Sequence, residues 1–169
     1  MSQHSIDNAI SVATDLWHLT NFFPQETLAS LLSDIEKTTE WDLQEMQEDK
    51  PRQVLPEKKK RTLDNLYGYL DSLDFSKFNI KFANVRIWKD LPGYYIDAHV
   101  DNPGVESSLQ LYLNHGPVEL GTWFGDVEIP YVQNSGYIMN NRLKLSHGMK
   151  HPVPENFNRY SLYALFKNV

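Results

Sequence analysis

The apolar pattern of this 169-residue chain changes near Phe78, and this change most narrows the folds that the chain can adopt. From there to the C-terminus, short strand-like runs alternate with glycine, proline and asparagine, the residues that mark turns. We predict strands near residues 80–88, 94–99, 107–114, 121–125, 136–140, 144–148 and 158–166. Many short strands with this punctuation are typical of a double-stranded β-helix, or jelly roll.

The part of the chain before Phe78 has a helical period. Its apolar residues at helical spacing are Leu28, Leu31, Leu32 and Ile35 after Pro24, and Leu63, Leu66, Leu70 and Leu73 further on. Residues 16–23 and 41–46 are predicted strands, and residues 47–61, with nine charged residues and two prolines, are a predicted exposed connection. We therefore predict one mainly β domain over residues 1–169, with a helical support region at 1–77 and a jelly-roll core at 78–169.

Composition argues against several classes of protein. The net charge of −6 and the pI near 5.4 argue against a nucleic-acid binder, which needs a basic face for phosphate contacts. The basic run at residues 58–61 fits either a solvated loop or part of a mobile lid over a substrate. The chain has no cysteine, no signal-peptide pattern and no stretch near the roughly 20 apolar residues of a membrane span. We expect a cytoplasmic protein without membrane partners.

A candidate metal site begins at His99 and Asp101, two residues apart at the end of a predicted strand. Because side chains alternate along a strand, both are expected to point to one face, and His147 supplies another imidazole. Two histidines and a carboxylate form a facial triad that holds Fe(II) and leaves positions open for a chelating cosubstrate and O2, whereas zinc sites are usually closed tetrahedra. A His-x-acid pair alone is weak evidence, since about one is expected by chance.

Arg159 stands at the start of the last predicted strand and strengthens this interpretation. A guanidinium presents a planar fork of donors that fits the far carboxylate of a dicarboxylate such as 2-oxoglutarate. Alternation along the strand places Arg159, Ser161 and Tyr163 on one face. By the same rule Tyr112 faces the cavity while the leucines beside it pack on the other side of their strand.

Six motifs follow one another in the second half of the chain. They are HVDNP at 99–103, LYLN at 111–114, GTWF at 121–124, SGYIM at 135–139, HGM at 147–149 and RYS at 159–161. In this order they resemble the prolyl 4-hydroxylase-like branch of the Fe(II)/2-oxoglutarate dioxygenases, over about residues 78–166. The resemblance implies an enzyme that uses Fe(II), 2-oxoglutarate and O2, with ascorbate as the reductant.

The resemblance also implies roles for six residues. The iron ligands are His99, Asp101 and His147, and the cosubstrate-binding residues are Arg159, Tyr112 and Ser161. His151 is an alternative third ligand, but the glycine after His147 matches the family pattern and favours His147. Trp88 stands where many relatives have a tyrosine near the cosubstrate, which removes a hydroxyl from that contact.

The implied reaction is hydroxylation of an unactivated C–H bond, with release of succinate and CO2. Relatives with similar motifs hydroxylate prolyl residues, so a prolyl or other residue in a protein or peptide is the leading substrate class. Two alternatives stay open: a free amino acid or other small molecule, and a non-catalytic cupin-like metal-binding module. Nucleic acid is not expected as a substrate, because nucleobase demethylases carry a second arginine where this chain has Leu165. The sequence does not indicate an oligomeric state.

Overall fold

The computed structural model describes residues 4–6, 8–43 and 51–169. Within these ranges the chain forms two α-helices, α1 (Gln25–Glu36) and α2 (Lys60–Asp71), and twelve strands. The strands are β1 (His4–Ser5), β2 (Ala9–Ala13), β3 (Leu16–Leu19), β4 (Asp42–Leu43), β5 (Arg52–Val54), β6 (Leu73–Asp74), β7 (Ile80–Asp90), β8 (Ser107–Tyr112), β9 (Thr122–Phe124), β10 (Val127–Ile129), β11 (Ser135–Asn140) and β12 (Arg159–Asn168). Eight of them form an antiparallel sheet in the order β2-β3-β11-β8-β12-β7-β5-β4.

A smaller and less regular sheet packs against the large one. β9 pairs with β10 in an antiparallel hairpin, and an isolated bridge joins His99 to His147. Side chains of the two sheets share one apolar cluster, in which the rings of Phe124 and Tyr137 lie 4.9 Å apart in an edge-to-face arrangement. Two packed antiparallel sheets of this kind are consistent with the predicted jelly roll.

Alternation along the strands gives the large sheet two different faces. In β8, Leu109 and Leu111 join an apolar cluster that includes Leu162 of β12 and the buried leucines of both helices. Gln110 and Tyr112 point to the opposite face, where the smaller sheet packs. The helices therefore brace one face, and the other face is available for a site.

Helix α1 begins where the sequence predicts, whereas α2 begins at Lys60, inside the predicted connection, and ends before Leu73, which lies in β6. Pro24, whose φ of −54° is preset by its ring, precedes the first turn of α1, where its missing N–H costs nothing. The buried apolar residues of the helices are Leu28, Leu31 and Ile35 in α1 and Leu66 and Leu70 in α2. None of the helices in the described ranges has the length and apolar character needed to cross a membrane.

The segment before Phe78 is not a helical region alone. Strands β2 to β5 all belong to the large sheet, so this sheet crosses the predicted boundary between support and core. The predicted exposed connection at 47–61 is wrong where the structure describes it, because β5 and the start of α2 lie there. The basic run at 58–61 falls in a 3-10 helix (Glu57–Lys59) and the first turn of α2, and Lys58 pairs with Glu40. Residues 44–50 of these predicted segments lie outside the described residues.

The predicted strands at 94–99 and 144–148 are also wrong as regular strands. The two segments meet at separate points: Met149 N donates to Ile96 O at 2.9 Å, and His99 and His147 exchange both backbone hydrogen bonds. The interval of three residues from Ile96 to His99 therefore lies opposite an interval of only two residues, from His147 to Met149. This unequal spacing interrupts the ladder and leaves isolated bridges.

We expect Leu162→Ala to destabilise the protein by about 2–5 kcal/mol, the usual cost of a cavity in a packed core. Leu162 is fully buried among strand and helix side chains. Urea unfolding followed by tryptophan fluorescence measures the change. Leu143→Ala, at an exposed position, is the matched control and should change stability by less than about 0.5 kcal/mol. Equal losses for the two variants would contradict the assigned core.

Candidate active site

Two histidines that are distant in sequence are paired in an isolated antiparallel β-bridge. His99 N donates to His147 O at 2.9 Å, and His147 N donates to His99 O at 2.8 Å. Their rings lie on the same side, with centroids 4.5 Å apart. Gly148 permits this approach, because a Cβ at its position would lie only 2.8 Å from Ala98 N.

Asp101 joins the two imidazoles from the same segment as His99. Its Oδ1 lies 3.6 Å from Nε2 of His99 and 3.6 Å from Nε2 of His147. The three potential ligand atoms all lie within 4.8 Å of one another. One ion at their centre could therefore contact a carboxylate oxygen and two imidazole nitrogens.

Backbone carbonyls hold both rings in the orientation that metal ligands need. Nδ1 of His99 lies 2.9 Å from Asp97 O, and Nδ1 of His147 lies 3.0 Å from Leu145 O. A carbonyl accepts only, so each Nδ1 carries the proton and each Nε2 presents its lone pair to the shared centre. Metal-binding histidines usually donate a hydrogen bond of this kind from the ring nitrogen that does not bind the metal.

The polar atoms of this group fit a bound cation. Oδ2 of Asp101 is buried and has no hydrogen-bond partner among the described residues, a costly state for a carboxylate oxygen unless a cation compensates it. Burial lowers the pKa of His147 below its ordinary value, which favours the neutral, ligating form. Phe124 stacks on that ring at 5.2 Å between centroids. Two neutral imidazoles and one carboxylate suit Fe(II) with open coordination positions.

A cavity of about 230 Å³ opens beside the three residues. Its wall also includes Gln110, Tyr137 and Tyr163 from the large sheet, and Met149 and Thr122 from the smaller one. Burial raises the pKa of Tyr137 and Tyr163 well above the ordinary value, so both phenols stay protonated at neutral pH, and the Tyr137 hydroxyl donates to Gln110 Oε1 at 2.8 Å. The cavity therefore combines the candidate metal ligands with neutral hydrogen-bond donors.

Arg159 also lines this cavity and is almost completely buried. Its Nη1 donates to Oδ2 of Asp90 at 2.7 Å, and its Nε donates to Leu120 O at 3.1 Å. Burial alone lowers the pKa of this guanidinium, but the charge of Asp90 and the hydrogen bond to it outweigh burial, so the pKa is raised and Arg159 stays charged. A fixed positive charge thus faces the cavity.

Two further charged residues that were not predicted from the sequence lie beside Arg159. Asp90 ends β7, and Arg52, in the segment predicted to be an exposed connection, begins β5 and is buried. Nε of Arg52 donates to Oδ1 of Asp90 at 2.5 Å and Nη2 donates to Oδ2 at 3.0 Å. The pairing of distant strands creates this cluster, so no local sequence pattern could have revealed it.

Tyr112 and Ser161 lie on the predicted face but behind the cavity wall. The hydroxyl of Tyr112 donates to Thr122 Oγ1 at 2.9 Å, and Ser161 Oγ accepts from Gln110 Nε2 at 3.3 Å. Neither is among the described residues that line the cavity. Burial raises the pKa of Tyr112, so its hydroxyl remains a donor at neutral pH.

Four other residues near the potential ligands, Trp88, Tyr95, Asp97 and His151, differ in their positions relative to the cavity. Trp88 lines the cavity and stacks on Tyr163, with ring centroids 4.4 Å apart. Tyr95 packs at the edge of the apolar cluster between the sheets, and the side chain of Asp97 is exposed. His151 is exposed and does not belong to the group of potential ligands. The structure therefore brings His147, and not His151, to His99.

No family model and no curated protein sequence matches the chain significantly. Solved structures do match. A prolyl hydroxylase from Trichoplax adhaerens, in complex with a peptide of the hypoxia-inducible factor oxygen degradation domain, has a TM-score of 0.68 and 14% identity over 91% of this chain and 84% of its own. The chain therefore shares the fold of this prolyl hydroxylase.

Two further members of this fold group show its range. A prolyl 4-hydroxylase from Pseudomonas putida has a TM-score of 0.60 and 18% identity, over 92% of this chain and 93% of its own. HygX from Streptomyces hygroscopicus, with nickel, 2-oxoglutarate and hygromycin B bound, has a TM-score of 0.66 and 9% identity, over 97% of this chain and 85% of its own. The fold shared with these structures therefore extends over nearly the whole chain.

Proposed function

We propose that the protein is an Fe(II)- and 2-oxoglutarate-dependent dioxygenase that hydroxylates an unactivated C–H bond. The observation that carries the proposal is one cavity lined by two imidazoles, one carboxylate and a buried guanidinium. Since strands from both halves of the chain share the sheet that forms this cavity, residues 1–169 are proposed to form one domain.

His99, Asp101 and His147 are the proposed iron ligands. When bound, the iron supplies the redox chemistry that couples oxidation of 2-oxoglutarate by O2 to hydroxylation of the substrate. The protein positions the ligands through the two backbone carbonyls that hold each Nδ1–H. Phe124, stacked on His147, keeps water from that side of the ring.

Arg159 is the proposed partner of the distal carboxylate of 2-oxoglutarate. Its guanidinium is buried, charged and held by two hydrogen bonds, so little ordering is needed when a carboxylate binds. Tyr112 and Ser161 are proposed as further cosubstrate contacts from the same face of β8 and β12. Because both already bond to neighbouring side chains, their contacts require a change of partner.

The overall reaction balances as 2-oxoglutarate plus O2 plus substrate C–H giving succinate, CO2 and substrate C–OH. One oxygen atom of O2 enters succinate and the other enters the alcohol. Ascorbate is the proposed reductant that returns oxidised iron to Fe(II). The protein's own contribution is to orient the 2-oxo acid and to exclude water from the cavity.

The leading substrate is a prolyl or other residue in a protein or peptide. Similarity to a prolyl hydroxylase in complex with a peptide fragment supports this class. The similarity to HygX, which has hygromycin B bound, supports a small molecule as the second candidate. Product mass spectra after incubation with proline-containing peptides and with free amino acids distinguish them: a gain of one oxygen in peptides only supports the first.

The class is tested by succinate formation from 2-oxoglutarate with Fe(II) and ascorbate, with and without O2. We expect O2-dependent turnover, and a KM for 2-oxoglutarate that rises about 30-fold or more in Arg159→Ala, because a buried charge partner is lost. Arg142→Ala, which removes an exposed guanidinium, is the matched control. Metal-dependent thermal stabilisation without any turnover or 2-oxoglutarate binding would favour the non-catalytic module instead.

A further inference from the structure

A buried row of three charged side chains crosses the large sheet beside the cavity. Asp90 of β7 is the register partner of Arg52 on β5 and of Arg159 on β12. The three residues are 5%, 0% and 1% exposed for Arg52, Asp90 and Arg159. Two guanidiniums and one carboxylate leave this row with one positive charge, which a single bound carboxylate would neutralise.

Arg159 alone has few N–H groups left to donate to a ligand. Its Nε carries one N–H, which is donated to Leu120 O, so the fork formed by Nε and Nη2 is not available. Its Nη1 already donates to Asp90. An arriving carboxylate would therefore share this guanidinium with the carboxylate of Asp90.

If Arg159 contacts both the Asp90 carboxylate and a ligand carboxylate, a second cation is needed to balance their negative charges. Two carboxylates around one buried guanidinium have a net negative charge, and an uncompensated charge away from water is strongly unfavourable. Arg52 removes this penalty, because its Nε and Nη2 both donate to Asp90 and it also lines the cavity. We propose that Arg52 is a second binding residue for the distal carboxylate of the cosubstrate, with Asp90 positioning both guanidiniums. The inference rests on the proposed dioxygenase function.

The surroundings of Arg52 hold it in place for this role. Its guanidinium carbon lies 4.0 Å from the ring centroid of Trp88 and 4.2 Å from that of Tyr94. Stacking between two rings, together with the fork on Asp90, leaves the Nη1 edge of the group for other partners. Nε1 of Trp88 is buried without a hydrogen-bond partner among the described residues, so the same wall has a donor that an anionic ligand could satisfy.

Calorimetric titration of the Mn(II)-loaded protein with 2-oxoglutarate and with pyruvate tests the role of Arg52. Pyruvate keeps the 2-oxo acid that chelates the metal but has no distal carboxylate. We expect Arg52→Met to weaken 2-oxoglutarate binding by about 30-fold or more, as for the loss of one partner of a buried charge pair, and to leave pyruvate binding unchanged. Arg52→Lys, which keeps the charge but loses the fork, should fall between Arg52→Met and the wild type.

The double variant Arg52→Met with Asp90→Asn tests the charge argument. Removing both charges leaves Arg159 free to pair with the cosubstrate, so 2-oxoglutarate affinity should recover most of what Arg52→Met loses. A purely structural role of Arg52 predicts no such recovery, and it also predicts that pyruvate binding falls together with 2-oxoglutarate binding. Thermal unfolding of each variant identifies the folded proteins to compare, and Arg52→Lys replaces Arg52→Met if the latter does not fold.

The outcomes separate this inference from the proposed function. Wild-type protein that binds Mn(II) but not 2-oxoglutarate would overturn both. Wild-type protein that binds 2-oxoglutarate while Arg52→Met binds it equally well would overturn the role of Arg52 alone. Selective loss in Arg52→Met with recovery in the double variant supports the shared site.

Discussion

Asp101→Ala is expected to abolish metal binding and turnover together. The substitution removes the only carboxylate among the three potential ligands that the described residues bring within 4.8 Å of one another. It leaves two neutral imidazoles, a set with neither the charge nor the number of ligands that holds Fe(II) on one face. The measurements are iron content after reconstitution with Fe(II) and succinate formation from 2-oxoglutarate.

Asp126→Ala is the matched control for this experiment. Asp126 is an exposed carboxylate in the turn between β9 and β10, so its removal should leave both iron content and turnover at the wild-type level. Thermal unfolding verifies that both variants are folded. An Asp101→Ala protein that retains stoichiometric iron and full turnover would exclude Asp101 as a ligand.

Gly136→Ala is expected to destabilise the protein by about 3 kcal/mol or more. This is at or above the largest loss of stability that is usual when an extra methyl group is forced into a packed core. Gly136 lies in β11, between β3 and β8, and a Cβ there would lie 1.9 Å from the backbone oxygen of Gln110. This clash can be relieved only by a backbone shift in the middle of the large sheet. Since Gln110 lines the cavity, the shift also displaces one wall of the site. Urea unfolding measures the loss.

The control at Gly68 should change stability in the opposite direction. Gly68 lies in α2, exposed, and an added Cβ meets no atom within 4 Å among the described residues. Alanine is the better helix former, so Gly68→Ala should stabilise the protein by up to about 1 kcal/mol. Destabilisation by Gly68→Ala, or an unchanged midpoint for Gly136→Ala, would contradict the packing described for that position.

Much of the site could be predicted because strand alternation is a local rule. Once β8 and β12 are placed, alternation assigns Tyr112 and Ser161 to the face opposite the leucine core, and the structure agrees. The His99 and Asp101 pair also converges, although its segment forms an isolated bridge and not the end of a regular strand. Their roles as ligands stay a prediction that the substitutions above test.

Other parts of the site were beyond prediction because they depend on strand pairing. β5 has only three residues and starts with a charged one, so it has no apolar period to detect. Arg52 is buried because Asp90 of β7 lies opposite it. A buried charge is stable only beside its partner, and that partner is 38 residues away in sequence.

The sequence by itself determined most of both helices, most strands of the second half, and the four residues His99, Asp101, His147 and Arg159 that line the cavity. These features follow from local periods, turn residues and the chemistry of single side chains. Only the tertiary structure decided that His99 meets His147 in one bridge and that Arg52, Asp90 and Arg159 share one row. The physical reason is that register between distant strands is set by the packing of the whole sheet, which no local pattern encodes.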